Sequence, residues 1–242
     1  MEIVSVHVGP AKEVTWRGDT VRTAIWKAPV EAARIGPLGL EGDQQADPAV
    51  HGGADKAVYA YSADHYDFWK AELPGKDLPY GVFGENLSVA GWDDASACLG
   101  DVYRAGEAEL VAIQPRLPCS KLGVRFDDPG MVKRFAKSLR LGVYFRVAKP
   151  GAVRRLDAFE KLSEHPVRFP IYDFARLYFD AALSAEKARP ALEHPLLNDN
   201  WRSMLTERLK KRRLPACGSW RSGRRSSACW RTRCARWSSS PL

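Results

Sequence analysis

Up to about residue 163, apolar positions come in short alternating or continuous stretches, "EIVSVHV", "KAVYAY", "DVYRA", "AELVAIQ" and "VYFRVA", each broken by glycine or proline. A two-residue period sends alternate side chains to opposite faces of a pleated strand, so these stretches predict many short β-strands in a barrel or sandwich. "DVYRAGEAELVAI" reads as a hairpin about Gly106, and "RVAKPGAVRRL" as another about Pro150 and Gly151. Two stretches carry the helical period instead. In "SADHYDFWKAEL", Ser62 is the expected N-cap and Tyr66, Trp69 and Leu73 share a face. In "DPGMVKRFAKSLRLG", Asp128 caps, Pro129 suits the first turn, Val132, Phe135 and Leu139 form the stripe, and Gly142 ends the helix. From about Val167 the period turns helical, with "YDFARLYFDAAL" and "NWRSMLTERLKKRRL" separated by a polar, proline-containing connection. The expected organisation is a mainly β domain over residues 1–165 and a small all-α domain over 166–213, meeting at "EHPVRFP".

Composition changes this picture at one end. The formal charge is +8, yet residues 211–242 hold Lys211 and eight arginines with no acid, which leaves 28 basic and 29 acidic side chains in the rest. The body is neutral, so the overall charge is no nucleic-acid footprint. The stretch from Leu214 also holds three of the five cysteines and three of the eight tryptophans, without Ile, Val, Phe, Tyr or Met. That vocabulary builds neither a helical stripe nor an alternating strand. Residues 214–242 read as a frameshifted or disordered basic tail, and an unshifted reading frame in the gene would sink the first of these. An arginine and aromatic arm for nucleic acid is the rival. An odd cysteine count without paired spacing does not suggest a disulfide framework, so a reducing, cytoplasmic setting is expected. No apolar run approaches the roughly 18 residues of a membrane span.

Several motifs are missing, among them C-x-x-C, H-E-x-x-H, G-x-S-x-G and a phosphate-binding loop around Gly75 and Lys76. Three polar clusters remain. In "QPRLPCSKL", Cys119 follows Pro118, whose ring stiffens the backbone, and Arg116 and Lys121 would stabilise a thiolate if they point the same way. A small buried hydrophobe at a strand end fits Cys119 equally well. In "VHGGADKAVYAY", Gly52 and Gly53 would let backbone amides approach an anion, with Lys56 adding charge and His51 a hydrogen bond. In "FGENL", Glu85 and Asn86 could bond a heterocycle or merely complete a turn.

Taken in order, "GLEGD", "VHGGADKAVYAY", "HYDFW", "FGENL", "LGD" and "QPRLPCSKL" closely resemble the MOSC domain family (molybdenum cofactor sulfurase C-terminal domain), in its bacterial 6-N-hydroxylaminopurine resistance branch. The resemblance runs over residues 1–213 and stops at about Leu214. It implies a MOSC-type β-barrel with a C-terminal helical domain, a molybdopterin cofactor with molybdenum, and reduction of N-hydroxylated compounds such as hydroxylaminopurine. It carries Cys119 over as catalytic residue and molybdenum ligand. His51, Gly52, Gly53, Lys56, Glu85, Asn86, Arg116 and Lys121 become expected cofactor contacts. No iron–sulfur cysteine cluster or dinucleotide fingerprint is visible, so a separate flavin or iron–sulfur reductase is the expected electron donor. No membrane or specific nucleic-acid partner is expected, and a homodimer stays open. A cofactor carrier or sulfur-transfer protein, or a metal-free hydrolase using Cys119 with His51 as base, are the rival classes.

Overall fold

The computed structural model describes residues 1–46 and 52–213. Each expected strand forms: β1 (Glu2–Val8), β7 (Val58–Ser62), β9 (Val102–Ala105), β10 (Ala108–Pro115) and β11 (Val143–Lys149). They lie in an eight-stranded sheet of order β13-β9-β10-β11-β7-β8-β1-β4, completed by β4 (Ala28–Val30), β8 (Leu87–Ala90) and β13 (Phe159–Ser163). All neighbours are antiparallel except β7 and β8. β7 is buried along its whole length, as a central strand covered on both faces must be, and its sequence "VYAYS" is correspondingly apolar or aromatic. The hairpin about Gly106 is present, with Gly106 at φ 58° between β9 and β10.

The expected MOSC-type β-barrel does not close. The sheet is open, because β4 occupies the outer edge of β1 at Val6–Val8, and β13 reaches only the start of β1 through an isolated bridge between Glu2 and Ala158. Strand and helix occur in nearly equal measure, so mainly β is corrected to a mixed, sheet-rich fold. The second expected hairpin is also absent. β12 (Gly151–Arg154) leaves β11 and pairs with β5 (Ala32–Gly36) in a separate sheet with β6 (Gly39–Leu40). A hairpin of β2 (Lys12–Trp16) and β3 (Asp19–Thr23), which alternation did not single out, makes a third sheet.

The two expected helices form with shifted ends. α1 (His65–Glu72) starts after Asp64, because Ser62 is still part of β7. The other is α3 (Gly130–Ser138), which follows directly on a short helix that was not expected, α2 (Ser120–Phe126). In α3 the Asp128 carboxylate accepts from the Gly130 amide at 2.8 Å, and the helix ends at Leu139 in the left-handed region, three residues before Gly142. Gly142 instead allows a close backbone approach, since at its φ of 68° a Cβ would meet the Ala60 carbonyl oxygen at 2.6 Å. Rings of Tyr61, Trp69, Phe83 and Phe135 pack between α1, α3 and the sheet.

Three helices close the described chain: α4 (Ile171–Phe179), α5 (Ala185–Glu193) and α6 (Asp199–Arg213). α5 stands where a connection was expected. Pro190 lies inside it, and the Ser184 hydroxyl caps it by accepting from the Lys187 amide. All three contribute buried residues to the same core as the sheet, including Phe174, Ala188, Trp201 and Leu205. The "EHPVRFP" segment and the Ile171 that follows it are tied to the stretch just before β9 by Leu99 N to Phe169 O and Ile171 N to Ala97 O, at 2.9 and 2.8 Å. Among the described residues no helix is long and apolar enough to cross a membrane. His51 and the 214–242 tail lie outside the described residues.

Candidate functional site

β10 ends at Pro115, and the chain then crosses the sheet edge through Arg116, Leu117 and Pro118 to Cys119, which is the N-cap residue of α2 with extended dihedrals (φ −136°, ψ 170°). Sequence reading saw the stiff approach but missed α2, which is too short to show an apolar period. Cys119, Arg116 and Lys121 line one cleft of about 600 Å³ counting its open mouth, together with Lys27, Asp43, Lys56, Tyr59, Asn86 and Tyr144. Four cationic side chains thus face a single carboxylate among the described lining residues. Such a wall is electrostatically complementary to an anion.

Arg116 is the most unusual of them. It is only 6% exposed, its guanidinium lies 5.2 Å from the Phe135 ring centre and 5.8 Å from that of Tyr59, and its Nη1 has no hydrogen-bond partner. Burial alone would disfavour its charge, but Tyr59, Cys119 and Tyr144 around it outweigh this and hold its pKa above the ordinary arginine value. The hydroxyls of Tyr59 and Tyr144 respond in kind. Burial raises both pKa values, Tyr59 well above the usual tyrosine range, against the pull of Arg116.

Lys27 and Asp43 form a buried ion pair at the cleft, side chains 7% and 9% exposed. Burial lowers the Lys27 pKa, with Asp43 pulling it back. Asp43 is itself held by the Gly9 amide at 3.0 Å and the Asn86 amide nitrogen at 2.8 Å. Asn86 lines the cleft, yet its side chain also accepts from the Tyr59 amide and donates to the His7 carbonyl, so it clamps β1, β7 and Asp43 together. Lys56 ends a one-turn 3-10 helix (Ala54–Lys56), and burial lowers its pKa against Asp55.

Three expected contacts stand elsewhere. Gly52 and Gly53 are not among the lining residues, although Gly53 needs glycine for its φ of 89°. Glu85 is fully buried beneath the cleft, where its Oε1 accepts from the Tyr66 hydroxyl, from Gly81 N at 2.8 Å and from Ser88 Oγ at 3.0 Å. Lys27, Asp43, Tyr59 and Tyr144 were not singled out by sequence reading. Asp43 and Tyr59 sit inside stretches whose order is distinctive, whereas Lys27 stands in a segment with no motif at all.

Beside Glu85 lies His7, wholly buried, its Nε2 2.9 Å from Ser5 Oγ and its Nδ1 without a partner. Burial lowers its pKa below 6.5, against the attraction of Glu85. An unfolded chain therefore takes up a proton near pH 6.5 that the folded chain refuses, so this contribution to stability is present above that pH and is lost as pH falls. Urea midpoints at pH 7.5 and 5.5 should differ less for His7→Gln than for the unaltered protein; equal differences would sink this assignment.

The model of the MOSC domain matches residues 47–160, which carry β7 to β12, Arg116 and Cys119. A Bacillus subtilis (strain 168) protein, the uncharacterized YflK, is 35% identical over 214 residues, covering 88% of this chain and 96% of that one. This chain belongs to the MOSC domain family. The crystal structure of YiiM from Geobacillus stearothermophilus shares its fold at TM-score 0.71 and 30% identity, over 86% of this chain and 98% of that one. A Gibberella moniliformis protein named a reductase is 33% identical over 182 residues, covering 72% of this chain but only 32% of the fungal one. Lys56, Arg116, Cys119 and Lys121 lie within the matched region, while Lys27 and Asp43 reach the cleft from irregular segments that precede it.

Proposed function

We propose that the cleft binds the molybdenum cofactor and that the protein reduces N-hydroxylated compounds of the hydroxylaminopurine type. The observation that carries this reading is Arg116. Its Nη1 is buried without a hydrogen-bond partner among the described residues, and an anion in the cleft would supply one. Molybdopterin is such an anion through its phosphate and its dithiolene. Lys27, Lys56, Arg116 and Lys121 would hold those groups, and Cys119 would add one soft sulfur ligand. Among the described residues no group of three His, Cys, Asp or Glu could hold a metal ion, so the dithiolene would supply the remaining ligands.

When bound, the cofactor supplies the two electrons that break the N–O bond. The chain's own residues set the stage for that. Pro118 and the extended backbone at Cys119 hold the thiol at one place, and Arg116 keeps positive charge beside it. Lys56, which lines the cleft with Cys119, would give one proton to the departing oxygen, and the second proton of this two-electron cleavage to amine and water would come from solvent. The electrons come from a separate flavin or iron–sulfur protein. Support for this comes from the fungal reductase, most of whose length lies outside the match and leaves room for a further module.

The test is the molybdenum and pterin content of the protein purified from a cofactor-producing host, beside Cys119→Ser. Near-stoichiometric metal is expected, falling at least about tenfold in the variant, the lower bound for disturbing a metal shell. Absence of both metal and pterin from the unaltered protein would overturn the reading. Metal and pterin without turnover by any reductase would turn it into a cofactor carrier.

A further inference from the structure

Cys119 does not end at the cationic cleft. Together with Lys56 and Tyr144 it also lines a second cavity, of about 600 Å³ counting its open mouth. The two spaces differ in chemistry. The second is lined by Pro115, Leu117, Pro118 and Trp201, with Gln114, Tyr144 and Cys119 as its neutral polar groups, and Lys56 is its only charged lining residue among those described. Trp201 comes from α6. Its Nε1 donates to the Gln114 side chain at 2.7 Å, and its ring packs on Phe174 at 4.8 Å between centres, so the wall is anchored both to β10 and to α4. Two proline rings with fixed φ and a locked indole make a preformed apolar slot.

We infer that this second cavity binds the organic part of the substrate, a flat, uncharged heteroaromatic base, and that α6 sets its selectivity through Trp201. The inference rests on the proposed function for what happens at Cys119. An anionic cofactor is drawn to the side with four cations, and an uncharged ring to the side with apolar walls, so the two meet across the thiol. Flat rings gain dispersion and π contact against proline and aromatic walls. A phosphate carried into that cavity would lose hydration against prolines and leucine, with Lys56 as the one charge among the described lining residues to answer it. The site therefore favours a free base over a nucleotide.

Adenine, the amine that remains when hydroxylaminopurine loses its oxygen, is the probe. Its affinity and that of AMP are measured by calorimetry on the full-length protein, both as purified and from a host without the cofactor. Adenine is expected to bind, and AMP at least about tenfold more weakly. Leu117→Trp, which fills the slot and leaves the Trp201–Gln114 bond and the cleft side chains in place, should weaken adenine by at least about tenfold, at the low end of what steric exclusion from a pocket achieves. Molybdenum, pterin and melting temperature should not change. Trp201→Phe should raise KM for hydroxylaminopurine with kcat held. Adenine binding that Leu117→Trp leaves intact, no adenine binding by the unaltered protein, AMP as tight as adenine, or an unchanged KM in Trp201→Phe would each overturn the inference. Because adenine is also read without cofactor, a protein lacking molybdenum and pterin overturns the proposed function while the slot is judged separately.

Discussion

Arg116→Met should empty the cleft of its anion and leave the cofactor-free fold about as stable as before. The guanidinium is 6% exposed and its Nη1 unpartnered, so in the absence of an anion it is a desolvated charge whose replacement by an apolar side chain of similar length removes a cost. Its contacts with the Phe135 and Tyr59 rings offset part of that gain, each worth roughly 0.5–2 kcal/mol. Stability should therefore stay close to that of the unaltered protein. Anion binding should not. Removing one member of a buried, desolvated charge pair costs about 2–5 kcal/mol, at least about thirtyfold in affinity. Molybdenum and pterin content, read beside the melting temperature of the cofactor-free protein, separates the two effects. Full cofactor content in the variant would remove Arg116 from the site, and a large drop in melting temperature would make it a structural residue.

Asp101→Asn should cost about 3 kcal/mol, the scale of breaking a buried ion pair, and lower the melting temperature by roughly 6–12 °C for a chain of this size. The carboxylate is fully buried and accepts from the Cys98 and His165 amides, both at 3.1 Å, while Arg168 and Lys161 pair with it from outside. It thereby pins the segment that leads into α4. Burial alone would raise its pKa, but these donors outweigh it and hold the carboxyl below its ordinary 3.8. This stability is complete above the ordinary carboxylate pKa and is lost as pH falls through the lower folded value, so the gap between the two proteins should close in acid. Urea unfolding at pH 7 and at pH 2 to 3 measures it. A gap that persists undiminished in acid would show that the asparagine acts by distorting the loop.

What the chain determined alone was whatever short-range physics could settle. Alternation produced β1, β7, β9, β10 and β11, the glycine at 106 set a hairpin, and the stripe of α3 was read from Val132 and Phe135. The order of the polar clusters pointed to the MOSC family, and the proline before Cys119 marked a stiff place for a thiol. Tertiary structure decided the rest. Which edge β12 would pair with depends on β5, more than a hundred residues earlier, and no local turn signal at Pro150 and Gly151 contains that choice. α5 contains Pro190, which made it read as a connection, but burial of Ala188 and Ala191 holds it in helical form. The site follows the same rule. Lys27, Asp43, Arg116 and Tyr144 converge on one cleft only because the sheet brings strand ends and loops from four distant segments together, and Glu85 sinks beneath it because three donors meet there. A charge pattern along the chain records which side chains are present, whereas the desolvation that leaves Arg116 in want of an anion exists only once the walls around it have closed.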